Sequence, residues 1–487
     1  AHSIGSSAKP FAGTFDGANY LLTVDIYSSA ASVFVGPFAC VGNATFSNLN
    51  VDGSVTATKA NGTGGLIGSA SGAIEITDCT SSVNVSGTNN VGGLVGYAND
   101  ANSSMKLTSS TFKGNVTATG NAAGGFIGVD SEPATLTSCI NEGAINSTGL
   151  YVGGMIGLCG VNTALYQCFN DSDITASGYY VGGLIGYMNA SSSATTLDMQ
   201  ECANGDDAIT GGNYVGGLVG CVNKATTNLV DVYNSGTVTP VTAVAKSTSY
   251  WWGTGGIVGT VYGTGAVLNM ENAYNDGTVK SDTGVPKGTL VGSLNAASST
   301  NTIDNSYWLE GTANAAVAYT GTNVTVNGTQ KAATSDELAA MAPTLGAAYV
   351  ADSGTAINNG YPVFYWQKDL DQLDFTTAVV AAIADQAYNG AAIEPATSVT
   401  YGDAILTAGT DYTVSYADNT EPGVATVALT GRGIYKGTKT VEFNITKASV
   451  ANCTIEAIAD QDYTGSAIAP EITVVSPAGV ELVAGTD

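Results

Sequence analysis

The chain has 487 residues, of which 63 are glycine, 44% are hydrophobic and only 11% are charged. This length exceeds one ordinary globular core, so at least two domains are expected, and the apolar content is too high for a disordered chain. With 14 basic against 40 acidic residues, the chain lacks the basic clusters that bind phosphate, which argues against nucleic acid and acidic membranes as partners. No apolar run approaches the roughly 20 residues of a membrane-spanning helix, so no membrane insertion is expected.

The chain begins with an expected entry strand and turn, Phe11–Gly17, followed by an apolar stretch, and then a glycine-flanked aliphatic pair starts to recur. Its clearest copy is Val91-Gly92-Gly93-Leu94-Val95-Gly96, and the copies lie about 30 residues apart. Other copies start at Gly64, Gly124, Gly153, Gly182, Gly216 and Gly255, with degraded copies at Ser32 and Gly288. A period near 30 predicts a solenoid, because one such unit cannot bury its apolar side without stacked neighbours.

Two further columns follow each glycine pentad. The first holds small or apolar residues: Leu49, Cys79, Ser110, Cys139, Cys168, Cys202, Val232 and Ala273. A turn follows, often Asn-x-Gly, and then a branched residue: Val55, Val85, Val116, Ile145, Ile174, Ile209, Val238 and Val279. We therefore predict an all-β chain in which residues 1–320 form a right-handed parallel β-solenoid with about three short strands per coil.

Residues 321–372 break the period and are predicted to form a C-terminal cap. Ser335–Met341 has an N-cap serine, acidic residues in the first turn and helix formers after it, which predicts a short helix. The apolar segment Gly360–Trp366 follows. The last coil of a solenoid exposes an apolar, hydrogen-bonding edge, which such a segment would cover.

A different repeat starts near Phe375. Ile383–Gly390 returns as Ile458–Gly465, and alternating strands such as Tyr412–Tyr416 lie between the two copies. The segment is similar to the bacterial Ig-like tandem domains of surface adhesins, which implies a β-sandwich stalk. We predict a sandwich at 373–448 and a truncated second copy at 449–487, and we expect the chain to be a fragment of a longer protein.

The glycine pentads resemble the GLUG-motif family of bacterial surface proteins. Phe11–Gly17 and Asn305-Ser306-Tyr307-Trp308 are also similar to that family's flanking pieces. The resemblance implies a β-solenoid module in a large extracellular or cell-surface bacterial protein. It further implies adhesion or display, with a host or neighbouring-cell ligand as partner and carbohydrate among the candidates.

Residues with catalytic or metal-binding chemistry are sparse in the sequence. His2 is the only histidine, and the sequence does not supply the other residues that a histidine triad or a zinc site needs. We therefore predict no catalytic residue, metal or cofactor. The cysteines of the inner column are read as buried free thiols, with a metal set or a disulfide ladder as less favoured alternatives. Acidic pairs such as Asp171/Asp173 and Asp206/Asp207 fit turn capping, and loose Ca²⁺ binding stays open.

The best functional candidate is an aromatic stripe, because tyrosine precedes the valine of several pentads and the next corner is longer and aromatic. The predicted ligand-binding residues are Tyr151, Tyr179, Tyr180, Tyr214, Tyr250, Trp251 and Trp252. Tyrosine and tryptophan stack on sugars or peptides and anchor interfaces. The alternative is an aromatic ladder that only covers a corner. A mixed row that includes Thr117, Asn146 and Thr175 is read as ordinary outward-facing strand residues.

These observations lead to the expectation of a non-enzymatic, secreted or cell-surface bacterial protein with an adhesin-like solenoid head on an Ig-like stalk. A polysaccharide-processing β-helix enzyme is the first alternative, because parallel β-helices also carry such sites. A purely structural spacer without a ligand is the second.

Overall fold

The structure is a computed structural model, and the chain divides into two units, Ala1–Phe364 and Tyr365–Asp487. The residues it describes are 3–31, 33–99, 104–241, 252–280, 286–296, 300–311, 315–321, 325–352, 357–368, 373–402, 404–406, 408, 412–431, 435–447, 450–476, 479 and 481–483. Strands make up 55% of the chain and helices 4%, so the predicted all-β class is confirmed.

The first unit is a parallel β-solenoid of about nine turns, as predicted. One wall is a sheet of very short strands, the glycine sheet. Its strands, within the described ranges, are Phe34–Val35, Gly62–Gly64, Val91–Gly92, Ala122–Gly124, Tyr151–Gly153, Val181–Gly182, Val215–Gly216, Thr254–Gly255 and Lys287–Gly288.

The other walls belong to one large sheet in which every pairing is parallel between successive coils. Its strands are Phe11–Asp16, Leu21–Ser28, Phe38–Ser47, Asn50–Ala57, Ile67–Thr77, Thr80–Gly87, Val95–Ala98, Met105–Thr108, Thr111–Phe112, Val116–Ala118, Ile127–Asp130, Ala134–Thr137, Ile140–Asn141, Ile145–Ser147, Ile156–Cys159, Thr163–Tyr166, Phe169–Asn170, Ile174–Ala176, Ile185–Asn189, Thr196–Asn204, Ile209–Gly211, Val219–Asn223, Thr226–Asn234, Val238–Pro240, Val258–Tyr262, Val267–Asn275, Val291–Asn295, Thr300–Asp304, Ser306–Leu309, Val317–Thr320, Thr325–Asn327 and Gln330–Ala333.

The aliphatic pairs of the pentads point into the core, as predicted. Leu94 and Val95 are fully buried, and their counterparts in the other coils join the same continuous cluster. The two predicted columns are also confirmed, because the register aligns Cys202 with Val232 and Ile145 with Ile174. Among the described residues, the solenoid cysteines are buried and free of disulfides, as expected for small apolar side chains.

Steric contact explains why each complete pentad carries three glycines. A Cβ at Gly124 would lie 2.1 Å from the carbonyl oxygen of Ile127, and one at Gly125 would lie 2.2 Å from that of Gly154 in the next coil. A Cβ at Gly128 would lie 2.6 Å from a carbonyl oxygen of the preceding coil. No side chain fits at these distances, so these three positions of the pentad require glycine.

Three details differ from the sequence expectations. Val35 pairs with Thr63, so the degraded first pentad starts at Gly36 and not at Ser32. Parallel pairing continues beyond residue 320, to Ala333. The helix Ser335–Ala339 is capped by Thr334, whose hydroxyl accepts a hydrogen bond from the Glu337 N–H in a capping box, and not by the serine.

A ladder of asparagine side chains runs through the core. Its members, one per coil and each fully buried, are Asn141, Asn170, Asn204, Asn234 and Asn275. The Nδ2 of each donates to the Oδ1 of the next, over 2.6, 2.7, 2.9 and 2.8 Å. The Nδ2 of Asn170 also donates to the Ser172 carbonyl oxygen at 2.7 Å, so the column closes the turn that follows it. The Asn-x-Gly turns thus have a role in the core that the sequence analysis missed.

A segment after the last strands packs on the outer side of the final coils. It contains the helix Ala342–Leu345 and the antiparallel pair Tyr349–Val350 and Val363–Phe364. The Tyr349 hydroxyl donates to the Asn272 carbonyl oxygen at 2.7 Å. The rings of Tyr233 and Tyr274, stacked 5.0 Å apart at 9°, are buried beneath this segment.

The second unit has its own small core. An antiparallel sheet of Val379–Val380, Val399–Tyr401 and Ala404–Leu406 shares it with a four-stranded sheet. The strands of that second sheet are Gln386–Ala387, Tyr412–Ala417, Gly423–Gly431 and Thr438–Thr446. The remaining strands are Leu373–Asp374, Tyr435–Lys436, Thr454–Ile455, Val474–Val475 and Glu481–Leu482, and 3₁₀ turns span Tyr365–Lys368, Phe375–Thr377 and Val450–Asn452. After residue 453 several large apolar side chains are exposed, including Tyr463 at 91%.

The steric contacts around two glycines, one in the glycine sheet and one in the large sheet, predict opposite effects of their substitution by alanine. Gly125→Ala should destabilise the solenoid by about 3 kcal/mol or more, because the new Cβ meets backbone on one side and Asn141 on the other. Gly42→Ala is the matched control, since its Cβ would have no contact closer than 3.5 Å and the loss of unfolded-state freedom should be neutral or stabilising by up to about 1 kcal/mol. Urea unfolding followed by circular dichroism measures both. Equal midpoints for the two variants would contradict the steric explanation.

The asparagine ladder predicts that removal of one of its amides destabilises the solenoid. Asn204→Ala should cost about 2–4 kcal/mol, because it removes one hydrogen bond on each side and leaves a buried Asn170 donor and Asn234 acceptor short of a partner. The exposed cross-coil pair of Asn115 and Asn84, 3.0 Å apart, supplies the control, and Asn115→Ala should cost less than about 0.5 kcal/mol. A cost for Asn204→Ala as small as the control's would show that the ladder contributes nothing.

Candidate functional site: the aromatic corner

The predicted tyrosines meet at one corner, just before the glycine sheet. Pairing of Val152, Val181 and Val215 places Tyr151, Tyr180 and Tyr214 in one column. The ring centroids of Tyr180 and Tyr214 are 4.6 Å apart with planes 13° from parallel, and those of Tyr151 and Tyr180 are 5.4 Å apart. The structure therefore brings these predicted residues together as a ladder.

Two tyrosines that the sequence analysis missed complete the cluster. The Tyr187 ring lies 4.5 Å from that of Tyr180 and 5.4 Å from that of Tyr151, nearly parallel to both. Its hydroxyl is 2.7 Å from the hydroxyl of Tyr262. Tyr187 directly follows a pentad, as Tyr97 does, and that shared position was the available signal. We name Tyr151, Tyr179, Tyr180, Tyr187, Tyr214, Trp252 and Tyr262 the aromatic corner.

The backbone at two of these tyrosines is left-handed. Tyr180 has φ 60° and Tyr214 has φ 57°, a conformation uncommon for bulky residues and costly by about 1–3 kcal/mol. At the equivalent place two coils before Tyr151, Asn90 has φ 50°, and its amide donates to the Asn61 carbonyl oxygen at 2.7 Å. At this corner the asparagine side chain bonds a carbonyl oxygen of the preceding coil, whereas Tyr180 and Tyr214 stack on each other.

Two rings are turned out of the stack. Tyr179 meets Tyr180 at 74° with centroids 6.2 Å apart, and Trp252 meets Tyr214 at 65° and 6.5 Å. Within the stack the faces of Tyr180 are covered by Tyr187 and Tyr214. Tyr179 and Trp252 are half-buried and have no parallel neighbour among the described rings. Tyr250 and Trp251, also predicted for the site, lie outside the described residues.

Burial favours the protonated form of four tyrosine hydroxyls in the aromatic corner. It raises the pKa of the Tyr180, Tyr187 and Tyr214 hydroxyls well above the ordinary value, and it also raises the pKa of the Tyr262 hydroxyl. Beneath them the fully buried Cys221 thiol also has a raised pKa, again because of burial. These four hydroxyls are therefore neutral at physiological pH and can both donate and accept hydrogen bonds.

Acidic side chains gather at a different corner, after the asparagine ladder. Burial, together with neighbouring carboxylates such as Asp171, raises the pKa of Asp207 to about 6. Burial raises the pKa of Asp276 to about 7, although the Ser235 hydroxyl donates to its carboxylate at 2.8 Å. At a separate place, three residues before the ladder residue Asn234, burial raises the pKa of Asp231 to about 6. Among the described residues, no three His, Cys, Asp or Glu side chains form a group that could hold a metal ion.

The mixed threonine row lies on the wall that precedes the aromatic corner. Thr117, Asn146 and Thr175 are exposed and in register, as outward-facing strand residues. They line a shallow groove of about 530 Å³ together with Thr148 and Ser177. Ser177 is two residues before Tyr179, but no residue of the aromatic corner lines the groove.

No family model, curated protein or solved structure matches the chain. The resemblance to the GLUG-motif family and to Ig-like repeats thus rests on the residues quoted above and stays a prediction. No helix within the described ranges has the length and apolarity needed to cross a membrane.

The raised carboxyl pKa values predict that the solenoid is more stable in mild acid. Between about pH 4 and pH 7 the folded state holds protons on Asp207, Asp231 and Asp276 that the unfolded chain has released, so stability falls as pH rises through this window. We expect urea unfolding to show a loss on the order of 1–2 kcal/mol between pH 5 and pH 8, allowing for solvent screening of the partly exposed Asp207 and Asp276.

Asp276→Asn should reduce that pH dependence, because asparagine can still accept the Ser235 hydrogen bond and does not ionise. Asp304→Asn is the control, since backbone hydrogen bonds from Thr329 and Asn305 lower the pKa of this exposed carboxyl. A solenoid that gains stability from pH 5 to pH 8 would contradict the assignment.

Proposed function

We propose that the chain is a non-enzymatic, secreted or cell-surface bacterial protein whose solenoid binds a ligand on a host or neighbouring cell through the aromatic corner. The observation that carries the proposal is the pair of left-handed tyrosines, Tyr180 and Tyr214, in a half-exposed cluster. Backbone strain concentrates at binding sites, and an unstrained alternative exists at Asn90 of the same fold.

A second tyrosine stack in the same solenoid supports this interpretation. Tyr233 and Tyr274 are at most 1% exposed, because the segment before Phe364 covers them. The aromatic corner has no such cover among the described residues, although its rings are as closely stacked. Half-exposed clusters of tyrosine and tryptophan are typical of protein and carbohydrate interfaces.

The remaining predicted parts belong to the same proposal. Residues 321–372 are proposed to act as the C-terminal cap, supported by the contacts of Tyr349 and the helix Ala342–Leu345 with the last coils. Residues 373–448 are proposed as an Ig-like sandwich that serves as a stalk, supported by two small sheets around one core. The GLUG-like pentads support a bacterial cell-surface location.

The structural spacer is the competing function, and one observation favours it. The two faces of the Tyr180 ring are covered by Tyr187 and Tyr214, as in a ladder that only protects a corner. A spacer would bind no ligand at all, which separates it from the adhesin-like protein by experiment.

Binding of the full chain to glycan and matrix-protein arrays tests the proposed function. The double variant Tyr179→Ala/Trp252→Ala should lose binding at least about 30-fold, as expected for two aromatic anchors worth about 2 kcal/mol or more together. Tyr166→Ala is the matched control, because this tyrosine is 38% exposed on another wall and should leave binding unchanged.

Two outcomes would overturn the proposal. If the full chain binds to nothing on the arrays or on cells, the result would favour the spacer. Release of reducing ends from a polysaccharide, abolished by Asp207→Asn, would favour the β-helix enzyme.

A further inference from the structure

Four rings of the aromatic corner form a continuous chain of contacts along the solenoid. The ring centroids of Tyr179 and Tyr180 are 6.2 Å apart, those of Tyr180 and Tyr214 are 4.6 Å apart, and those of Tyr214 and Trp252 are 6.5 Å apart. All four residues are partly exposed. Tyr180 and Tyr214 stack on each other in the middle of this chain, and the two turned-out rings lie at its ends. A ligand that stacks on the end rings therefore leaves the central pair intact.

The solenoid register fixes the spacing of the two end rings. Val215 pairs with Val181 of the coil before it and with Thr254 of the coil after it. Tyr179 and Trp252 lie two residues before those two partners. Neighbouring parallel strands are about 4.8 Å apart, so two steps separate the backbones at Tyr179 and Trp252 by about 10 Å along the solenoid. The end rings are therefore two stacking positions with a repeat of two coils.

This repeat matches a polyproline II helix better than it matches an extended strand. A polyproline II helix has three residues per turn and a rise of about 3.1 Å per residue, so residues i and i+3 face the same side about 9.3 Å apart. In a β-strand, residues on one face recur at every second residue, about 6.7 Å apart. A polyproline II segment that runs along the solenoid thus places one residue of each turn on an end ring, whereas a strand comes out of step.

We propose that Tyr179 and Trp252 form a docking site for a proline-rich segment of a partner protein, which lies along the aromatic corner as a polyproline II helix and stacks residues i and i+3 on these rings. This inference rests on the proposed function and names its ligand class. Proline-rich segments dock on aromatic-lined surfaces because their rings are apolar and their backbone is already ordered before binding. Each proline also offers a carbonyl acceptor and no N–H, which suits a surface whose polar groups are tyrosine hydroxyls and an indole N–H.

The chemistry of the corner favours this ligand over a saccharide. Every side chain of the aromatic corner is a tyrosine or a tryptophan, and the hydroxyls of Tyr187 and Tyr262 are bonded to each other at 2.7 Å. A sugar ring carries hydroxyl groups around its edge, and covering them without hydrogen-bond partners costs free energy. The net charge of −26 further favours a ligand with lysine or arginine beside its prolines, because opposite charge speeds the encounter.

Three peptides test the ligand class and its spacing. Each begins with two lysines; the first continues with four Pro-Ala-Ala repeats, the second with six Pro-Ala repeats and the third with six Gly-Ser repeats. The full chain is titrated with each peptide by calorimetry, and saturation-transfer NMR reports which peptide protons contact aromatic rings.

The Pro-Ala-Ala peptide should bind, with saturation concentrated on its proline rings. The Pro-Ala peptide should bind at least about 5-fold more weakly although it contains more prolines, because its prolines cannot occupy both i and i+3. The Gly-Ser peptide, which carries the same lysines, should not bind.

Ring variants locate the peptide on the chain. Tyr179→Ala and Trp252→Ala should each weaken binding of the Pro-Ala-Ala peptide about 10-fold, as for the loss of one aromatic anchor. Tyr179→Phe keeps the ring and should bind as the parent does, which separates stacking from a folding defect at this position. Tyr166→Ala is the matched control, because Tyr166 is an exposed tyrosine on another wall.

The outcomes distinguish this inference from the proposed function. Equal binding of the Pro-Ala-Ala and Pro-Ala peptides, or binding that neither alanine variant changes, would overturn the docking site. If the peptides fail while a sugar or another protein on the arrays binds, and Tyr179→Ala/Trp252→Ala abolishes that binding, the ligand class is wrong and the proposed function stands. If the peptides fail and nothing on the arrays or on cells binds, both are wrong.

Discussion

The close approach of backbone to backbone at the glycine sheet is the constraint on which the solenoid depends. At Gly124 and Gly125 a single added carbon would meet carbonyl oxygens at 2.1 and 2.2 Å, so this wall consists of little more than backbone. The thin wall lets Leu94 and Val95 turn inward together and close the core over a very short arc. It also determines where the chain bends, because the residue before each pentad valine must form the corner. The aromatic corner is therefore placed by the glycines that follow it.

The interior of the solenoid combines apolar columns with one amide column, and the two depend on each other. The asparagine ladder begins at Asn141, and in the coil before it the same position is taken by Phe112. Asn141 donates to Asn170, and from Asn170 to Asn275 each amide is bonded both to a neighbouring amide and to a turn carbonyl. A buried amide is tolerable only in such an unbroken chain, since a gap leaves a donor and an acceptor unpaired. The neighbouring column of cysteines keeps small side chains beside it.

Periodic features of this fold could be predicted from the sequence, and features that join different columns could not. Parallel stacking in register repeats the same environment in each coil, so Cys202 and Val232 reveal their shared position by spacing alone. The asparagine ladder was missed because Asn-x-Gly is explained fully by local turn geometry. The contact of Tyr187 with Tyr262 crosses two columns and two coils, and no single period shows it. The first pentad was misplaced by four residues because Val33–Gly36 imitates the motif in the strand before it.

The left-handed tyrosines show where local rules and tertiary structure conflict. Residue type alone predicts asparagine or glycine at these corners, as found at Asn90, and favours the extended backbone for tyrosine. Stacking of Tyr180 on Tyr187 and Tyr214 offsets the strain by about 0.5–1.5 kcal/mol for each pair, which is comparable to its cost. Tyrosine in place of asparagine at these corners is consistent with the ligand contact proposed above.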